Sequence, residues 1–320
     1  MKDINQIIKE EMVSLDRVIR QDLDSRIPLI NTVGEYIISA GGKRIRPLLT
    51  ILYGKLLNNN HEVLYKMSAM VEYIHTATLL HDDVVDESGL RRGRATANAV
   101  FGNAASVLVG DFIYTRAFQM MVQSNSLRVL QIMADSTNII SEGEVLQLLN
   151  IGRSDLTENE YFQVIESKTA KLFEASARVA SIVSNSTEMQ ENALANYAVC
   201  LGTAFQIVDD ILDYNSDAET MGKNVGDDLL EGKVTLPLIY LLTNGNEDTK
   251  LSIVNAIDNP KDADINHIVS LVKNSPSLDY CKKMAEDYVR KAITELNIFD
   301  NNQYKEVLTF IANESLKRIS

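Results

Sequence analysis

The chain has 320 residues, of which 45% are hydrophobic, and it carries a formal net charge of −13. This length and apolar content exclude a disordered chain, and the acidity argues against nucleic acid as a partner, because DNA and RNA are normally bound by a basic face. No apolar run approaches the roughly 20 residues that span a bilayer, and the charged N-terminus lacks the apolar segment of a signal peptide, so we expect a soluble protein.

The chain contains two cysteines, Cys200 and Cys281, widely separated in the sequence. Two scattered cysteines do not form the framework of a disulfide-stabilised protein, and this usage fits a reducing compartment. We therefore expect a cytoplasmic location and interpret each cysteine as a small buried apolar residue.

Apolar residues recur at intervals of three and four along much of the chain, a spacing typical of helices. The set Val164, Ile165, Ala170, Leu172 and Phe173 is less regular. Glycine- and asparagine-rich breaks separate the apolar segments at residues 41–42, 58–60, 89, 150–152 and 222–226. Strand-like alternation is nearly absent. We predict an all-α fold in which residues 1–320 form one domain, a single large helical bundle.

The first basic cluster lies in the segment GGKRIRP, where Lys43, Arg44 and Arg46 follow a pair of glycines. Taken singly, such a base is most simply interpreted as a surface charge. Arginine offers phosphate a two-pronged hydrogen-bonding group and lysine offers a point charge, so several bases together indicate a ligand with more than one phosphate. The later bases of this kind are Arg91, Arg92, Lys168, Lys223 and Lys233.

The first acidic cluster has the pattern D-D-x-x-D and consists of Asp82, Asp83 and Asp86. Residues four apart on a helix lie about 40° apart around the axis, so Asp82 and Asp86 point to the same side. Their like charges repel unless a cation lies between them. Taken alone, this cluster is more simply interpreted as a solvated helix end that stops at Gly89, because short acidic patterns are common.

The second acidic cluster repeats the pattern with Asp209, Asp210 and Asp213 inside the apolar segment FQIVDDILDY. The apolar neighbours predict that this helix is substantially buried, and buried carboxylates require a cation or protons. Clusters that offer only oxygen ligands suit a hard cation, and Mg²⁺ binds one or two carboxylates together with water and substrate phosphates. The four histidines have no zinc-like spacing. Acids that hold Mg²⁺, surrounded by bases, predict a diphosphate site.

The order of these segments resembles that of the trans-isoprenyl (polyprenyl) diphosphate synthases. The resemblance rests on GGKRIRP, EYIHTATLLHDDVVDESGLRRGRAT, KTAKLFE, FQIVDDILDY and GKNVGDDLLEGKVTLP, and it covers about residues 35–240, with a helical C-terminal part at 241–320. Within the family, the chain is most similar to the component II type of heptaprenyl diphosphate synthases, the large subunit of a two-component bacterial enzyme. The resemblance implies a bundle of the isoprenoid synthase type with a central apolar cavity.

The resemblance also implies residue roles. Asp82, Asp86 and Asp209 would bind Mg²⁺, as three ions once substrate is bound, with Asp83, Asp210 and Asp213 in support. The allylic diphosphate would be held by Arg91, Lys168, Thr169, Gln206, Lys223 and Lys233, with Gln147 and Asp228 more loosely associated. Isopentenyl diphosphate would be held by Lys43, Arg46, His75 and Arg92. We interpret Asp82, Asp86, Asp209, Arg91 and Lys168 as the catalytic set.

The predicted product is a long prenyl chain. Bulky aromatic residues at the fourth or fifth position before the first motif block the pocket in short-chain members of the family, whereas Thr78 and Ala77 are small here. Ile74 and Tyr73 lie deeper along the same helix and complete the predicted chain-length pocket, in which Tyr73 fits either a deeper stop or an ordinary core residue. We therefore expect a heptaprenyl-class product made from farnesyl diphosphate, for the side chain of a respiratory quinone such as menaquinone, with geranylgeranyl to octaprenyl products as alternatives.

Two other classes of protein remain as alternatives. A terpene cyclase shares the bundle and an acidic motif but needs no isopentenyl diphosphate site, and a non-catalytic helical subunit needs neither acids nor bases. The sequence leaves open whether the chain forms a homodimer or requires a small dissimilar subunit, component I. Transient contact with a membrane is expected only from the greasy product.

Overall fold

The computed structural model describes residues 3–91, 93–215 and 225–319. These residues are helical almost throughout, and the strands among them, Leu90–Arg91 and Arg94–Ala95, pair as a short antiparallel hairpin. The prediction of an all-α fold is confirmed. Arg92 and Lys223, to which the sequence assigns diphosphate contacts, lie outside the described residues.

The helices follow in chain order as α1 Ile4–Asp22, α2 Pro28–Ser39, α3 Ile45–Leu56, α4 Glu62–Val85, α5 Ala97–Phe101, α6 Asn103–Val122, α7 Leu127–Leu149, α8 Glu158–Ile165, a π-helix Glu166–Ala170, α9 Lys171–Val183 and α10 Glu188–Asn215. The later helices are α11 Asp227–Leu230, α12 Leu236–Asn244, α13 Glu247–Asp258, α14 Ile265–Lys273, α15 Ser277–Glu295 and α16 Gln303–Leu316, with 3₁₀ turns at Leu296–Ile298 and Lys317–Ile319.

The predicted breaks at residues 41–42 and 58–60 mark helix ends, while part of the predicted break at 222–226 lies outside the described residues. The pair Gly41 and Gly42 lies between α2 and α3, and both glycines have positive φ angles, of 76° and 144°. Asn58, with a φ of 61°, follows the end of α3. Such left-handed backbone ends a helix because a side chain other than glycine or asparagine adopts it only at a cost.

The chain divides into two compact units. The first comprises Met1–Ser136, Leu172–Asn196 and Glu295–Phe310. Within it, α4 packs against α1, α3 and α6. Buried side chains lie all around α4, at Leu64, Met67, Met70, Val71, Tyr73, Ile74, Ala77 and Leu80. This burial on every face explains why α4 lacks a polar stripe, and it gives the first aspartate motif a rigid support.

The second unit comprises Thr137–Lys171, Tyr197–Thr294 and Ile311–Ser320. Its apolar core surrounds the C-terminal half of α10, where Ile207, Val208, Ile211 and Tyr214 are almost fully buried. The prediction that the helix of the second aspartate motif is substantially buried is confirmed. Cys281 is buried in the same core, whereas Cys200 is only partly buried, so the prediction of two buried cysteines is correct for Cys281 alone.

Among the described residues, no helix is both long and apolar enough to cross a membrane.

Candidate active site

The first aspartate motif lies at the C-terminal end of α4. Asp86 caps the helix, and its backbone N–H donates to the carbonyl oxygen of Asp82 at 2.8 Å. Asp82 and Asp86 are partly buried, whereas Asp83 is completely buried. The helical geometry therefore puts Asp82 and Asp86 on one side and turns Asp83 into the protein.

Asp83 binds Arg91, which stands on the first strand of the hairpin. The Nε and Nη2 atoms of Arg91 both donate to Oδ1 of Asp83, at 2.8 and 2.6 Å. Asn98 Nδ2 donates to the backbone oxygen of Asp83 at 3.1 Å, which ties the hairpin region to the end of α4. The Oδ2 atom of Asp83 is buried and accepts no hydrogen bond. The motif thus orients the arginine that the sequence assigns to the allylic diphosphate.

Two of the predicted isopentenyl diphosphate residues, Arg46 on α3 and His75 on α4, lie in contact. Arg46 Nη1 lies 3.4 Å from His75 Nε2, and the Arg46 guanidinium stacks over the Phe173 ring at 4.6 Å from its centroid. Lys43, three residues before Arg46, is exposed to solvent. One pocket is lined by His75, Asp83 and Arg91, so one predicted isopentenyl residue and one predicted allylic residue share a cavity.

The second aspartate motif contains a buried acid that accepts two hydrogen bonds. Asp210 is 2% exposed and accepts hydrogen bonds from the Tyr161 hydroxyl at 2.6 Å and from Gln206 Nε2 at 2.8 Å. Burial and the nearby Asp228 carboxylate raise the pKa of Asp210 well above its usual range, although the two hydrogen bonds oppose this shift.

The two other aspartates of the second motif differ in exposure. Asp213 is buried, whereas Asp209 is partly exposed and forms an ion pair with Arg318, whose Nη1 lies 2.7 Å from Asp209 Oδ1. The Arg318 guanidinium also lies over the Phe205 ring, 5.1 Å from its centroid. An arginine thus supplies positive charge at this carboxylate.

Lys168 and Thr169 lie on the π-helix between α8 and α9. Lys168 Nζ lies 2.5 Å from Glu144 Oε2 and 2.7 Å from Gln147 Oε1, both on α7. The Thr169 hydroxyl donates to Gln206 Oε1 at 3.1 Å. Since Gln206 also donates to Asp210, a chain of hydrogen bonds runs from the π-helix to the second motif.

The π-helix packs against Gly143 of α7. A Cβ atom at Gly143 would lie 2.8 Å from Ser167 Cβ and 3.0 Å from the Lys168 backbone nitrogen. These distances are too short for any larger residue unless the backbone shifts. Gly143 therefore allows the close approach that places Lys168 beside Glu144.

The remaining predicted residues are Lys233 and the residues of the predicted product pocket on α4. Lys233 is partly buried, with its Nζ 2.6 Å from Glu231 Oε2. Ile74 and Ala77 are buried on α4, and Thr78 is partly buried. Tyr73 is fully buried and its hydroxyl donates to the Ile19 carbonyl oxygen at 2.6 Å, which fastens α4 to α1.

Several contact residues of the site were not identified from the sequence. Tyr161, Glu144, Asn98 and Arg318 carry no motif, because each reaches its partner only through tertiary packing. Gly143 has a sequence signal, since a glycine in the middle of a helix is unfavourable by about 1 kcal/mol and usually has a packing reason.

The donor set fits Mg²⁺. Both motifs offer only carboxylate oxygens, and the Oδ2 atom of Asp83 is buried without a hydrogen-bond donor. Within the part of the chain that the structure describes, no three His, Cys, Asp or Glu side chains converge closely enough to hold an ion by themselves. Water and substrate phosphates would complete the coordination, as is usual for Mg²⁺.

Comparison with known proteins agrees with this geometry. Residues 27–273 match the family model described as polyprenyl synthetase. The octaprenyl diphosphate synthase of Escherichia coli K12 is 47% identical over 319 residues, which cover 99% of each chain. The all-trans-nonaprenyl-diphosphate synthase (geranyl-diphosphate specific) of Rhodobacter capsulatus is 41% identical and covers 99% of this chain and 98% of its own length.

Solved structures give the same result. A polyprenyl synthase from Caulobacter crescentus CB15, complexed with calcium and isoprenyl diphosphate, has a TM-score of 0.94 at 39% identity, over 99% of this chain and 97% of that one. The heptaprenyl diphosphate synthase of Staphylococcus aureus has a TM-score of 0.94 at 28% identity, over 98% and 99%.

The fold and the aspartate motifs therefore define a helical synthase of the isoprenoid type, which confirms the predicted fold class. The chain belongs to the polyprenyl synthetase family. It is a prenyltransferase, a trans-polyprenyl diphosphate synthase, as the resemblance predicted.

Proposed function

We propose that the protein extends an allylic diphosphate, preferably farnesyl diphosphate, by repeated Mg²⁺-dependent addition of isopentenyl diphosphate. The observation that carries this proposal is the pair of aspartate motifs, each held beside a base: Asp83 binds Arg91, and Asp209 pairs with Arg318. A terpene cyclase or a non-catalytic subunit would not need the bases of GGKRIRP together with two such motifs.

Asp82, Asp86 and Asp209 are the proposed Mg²⁺ ligands, and they are the motif residues whose side chains are only partly buried. Asp83, Asp210 and Asp213 are buried and support them. Three ions are proposed once substrate is bound. Bound Mg²⁺ would neutralise the negative charge that develops on the leaving diphosphate.

The bases would divide between two diphosphates. Arg91, Lys168, Thr169, Gln206, Lys223 and Lys233 are proposed for the allylic diphosphate, and Lys43, Arg46, His75 and Arg92 for isopentenyl diphosphate. Asp83 fixes Arg91 in advance, while Glu144 and Gln147 fix Lys168. Donors that are already oriented stabilise developing charge without the cost of reorganisation.

The chemistry follows from these positions. Cleavage of the allylic carbon–oxygen bond leaves a delocalised cation, which the isopentenyl double bond attacks before a proton is lost to the departing diphosphate. Water must be excluded from the cation. The proposed wall of the product pocket is the apolar face of α4 that includes Ile74 and Ala77, both 1% exposed.

The product length is proposed from the relatives. The octaprenyl synthase of Escherichia coli is 47% identical to this chain, whereas the heptaprenyl synthase of Staphylococcus aureus is 28% identical. We favour an octaprenyl product over the heptaprenyl one that the sequence motifs suggested. We propose that the product becomes the side chain of a respiratory quinone. The enzyme is proposed to work in the cytoplasm and to contact a membrane transiently because its product is strongly apolar.

A homodimer is the proposed assembly, and the whole chain is proposed to work as one synthase domain. The exposed face of α6 carries an apolar stripe of Val107, Leu108, Phe118 and Val122, with Leu108 67% exposed. A second copy would cover this stripe. If component I were required instead, the purified chain would be inactive until that subunit was added.

One assay tests the proposal. The purified chain is incubated with Mg²⁺, farnesyl diphosphate and isopentenyl diphosphate, and the product is measured by mass spectrometry, while light scattering gives the oligomeric state. We expect a homodimer and an octaprenyl diphosphate. Absence of any Mg²⁺-dependent chain extension by a dimeric, folded protein would overturn the proposed activity.

A further inference from the structure

Arg44 occupies an unusual place in the basic segment GGKRIRP. It precedes α3 in the left-handed conformation, with φ 44° and ψ 42°, which is unfavourable for any residue with a side chain. Its side chain is only 11% exposed. A strained and largely buried arginine side chain, in a segment whose other bases are predicted to contact substrate, requires a structural reason.

Three parts of the first unit hold the Arg44 guanidinium. Nη1 donates to Asp16 Oδ1 of α1 at 2.5 Å, and Nη2 donates to the carbonyl oxygen of Ile38, near the end of α2, at 3.2 Å. Nε lies 3.8 Å from Glu72 Oε1 of α4. Arg44 thus connects α1, α2 and α4 to the start of α3.

Asp16 is itself fixed in place. It accepts a second hydrogen bond from Arg20 Nε at 2.9 Å, and Arg20 also binds Glu35 of α2. Burial acts to raise the pKa of Asp16, but the hydrogen bonds from Arg44 and Arg20 outweigh it and lower that pKa. The carboxylate is therefore charged when it anchors Arg44.

Arg44 is unsuited to bind a diphosphate itself. Two carboxylates, of Asp16 and Glu72, lie beside its guanidinium and would repel a second anion. Its neighbours are placed differently: Lys43 is exposed, and Arg46 is directed to His75 and the Phe173 ring. The partly buried Arg44 lies in sequence between the two bases that are proposed to contact isopentenyl diphosphate.

We infer that Arg44 and Asp16 are positioning residues for the isopentenyl diphosphate site. The ion pair fixes the strained start of α3, and so fixes where Lys43 and Arg46 present their charges. This inference rests on the proposed function of those two bases. Neither Arg44 nor Asp16 touches substrate, and both act through Lys43 and Arg46.

The test compares the variants Asp16→Ala and Arg44→Gln with the control Arg20→Gln. The control removes the second, surface partner of Asp16 and leaves Arg44 in contact with the Asp16 carboxylate. The steady-state KM for each substrate, kcat and the melting temperature are measured. Because small misplacements of binding groups weaken binding steeply, we expect both test variants to raise the KM for isopentenyl diphosphate about tenfold or more. The KM for farnesyl diphosphate and kcat should change by less than about twofold, and the control should match wild type.

Parallel changes in both KM values, or a lowered melting temperature with unchanged KM values, would show a purely structural role and overturn the inference. A wild-type chain without Mg²⁺-dependent extension would instead refute the proposed function on which the inference rests. If the two test variants do not fold, Arg44→Lys decides, because it keeps the charge and loses the two-pronged geometry. It should raise the same KM to a smaller extent, and a wild-type KM in that variant would contradict the inference.

Discussion

The six motif aspartates fall into two groups by their surroundings. Asp83, Asp210 and Asp213 are buried, and the first two are bound to named protein donors. Asp82, Asp86 and Asp209 are partly exposed. A carboxylate that binds a hydrated ion needs access to solvent, whereas one that orients a neighbouring side chain does not. The two groups therefore should differ in their response to substitution.

Replacing a partly exposed motif aspartate should abolish most turnover. Asp82→Ala and Asp209→Ala are each expected to lower kcat on the order of 10²-fold or more, because they remove a proposed Mg²⁺ ligand that acts on developing charge. Asp155→Asn, at a carboxylate that is 77% exposed and remote from both motifs in sequence, is the control. Near-normal Mg²⁺-dependent turnover in either alanine variant would refute the metal assignment.

Product length should respond to the volume of residue 77. Ala77 is 1% exposed on α4, and Ala77→Phe fills the proposed pocket, so we expect much shorter products with substrate ionisation retained. Mass spectrometry of the products and a thermal melt distinguish pocket filling from general overpacking.

The matched control for the pocket is Tyr73→Phe. It removes only the hydroxyl that donates to Ile19, so stability should fall by about 1 kcal/mol while product length stays the same. An unchanged product distribution in Ala77→Phe would contradict the pocket argument.

At the scale of elements, the π-helix accounts for an irregular spacing of apolar residues. The apolar residues around it, from Val164 to Phe173, are irregularly spaced because a π-turn contains more residues than an α-turn. Helix breaks were predicted because glycine and asparagine favour left-handed backbone. The π-turn was not predicted, because its i to i+5 bonding has no residue signature of its own.

The contact between Gly143 and the π-helix makes a prediction for α7. Gly143→Ala should force the backbone of residues 167 and 168 away, displace Lys168 from Glu144 and raise the KM for farnesyl diphosphate. The matched control is Gly89→Ala, because an added Cβ at Gly89 would meet no atom within 4 Å. Equal KM values for the two variants would show that the close packing has no bearing on Lys168.

At the scale of the molecule, some of the 44 acidic residues lie in the interior, among them Asp83, Asp210 and Asp213. Asp210 has a raised pKa because it is buried beside Asp228. The sign follows from linkage: a group with a raised folded-state pKa favours the folded state in its protonated form. That stability is present below the unfolded-state value of about 3.9 and is lost as the pH rises through the folded-state pKa.

Melting temperatures measured at a series of pH values test this link between the ionisation of Asp210 and stability. Without metal, we expect the melting temperature to fall as the pH rises above the ordinary aspartate range, and Mg²⁺ to restore it most strongly at neutral pH. Asp210→Asn should flatten the pH dependence, since the residue no longer ionises. A steep, unchanged pH profile in that variant would assign the effect to other acids.

The overall architecture and the motif residues could be inferred from the sequence because periodicity and motif spacing are local properties of the chain. The partners of those residues could not. Asp83 was expected to support a metal, and nothing in its neighbours along the chain indicates that it holds Arg91. Tyr161 lies 49 positions from Asp210, so only the folded structure brings them together.

The ion pair between Arg318 and Asp209 changes the meaning of a metal titration. If Asp209 binds Mg²⁺ as we propose, the ion has to replace the Arg318 guanidinium at Asp209 Oδ1, so the measured affinity would reflect an exchange of cations rather than the filling of an empty site. The proposed Mg²⁺ ion and Arg318 would compete for one oxygen atom of Asp209, and a displaced Arg318 would then be available to pair with the anion that binds together with the metal.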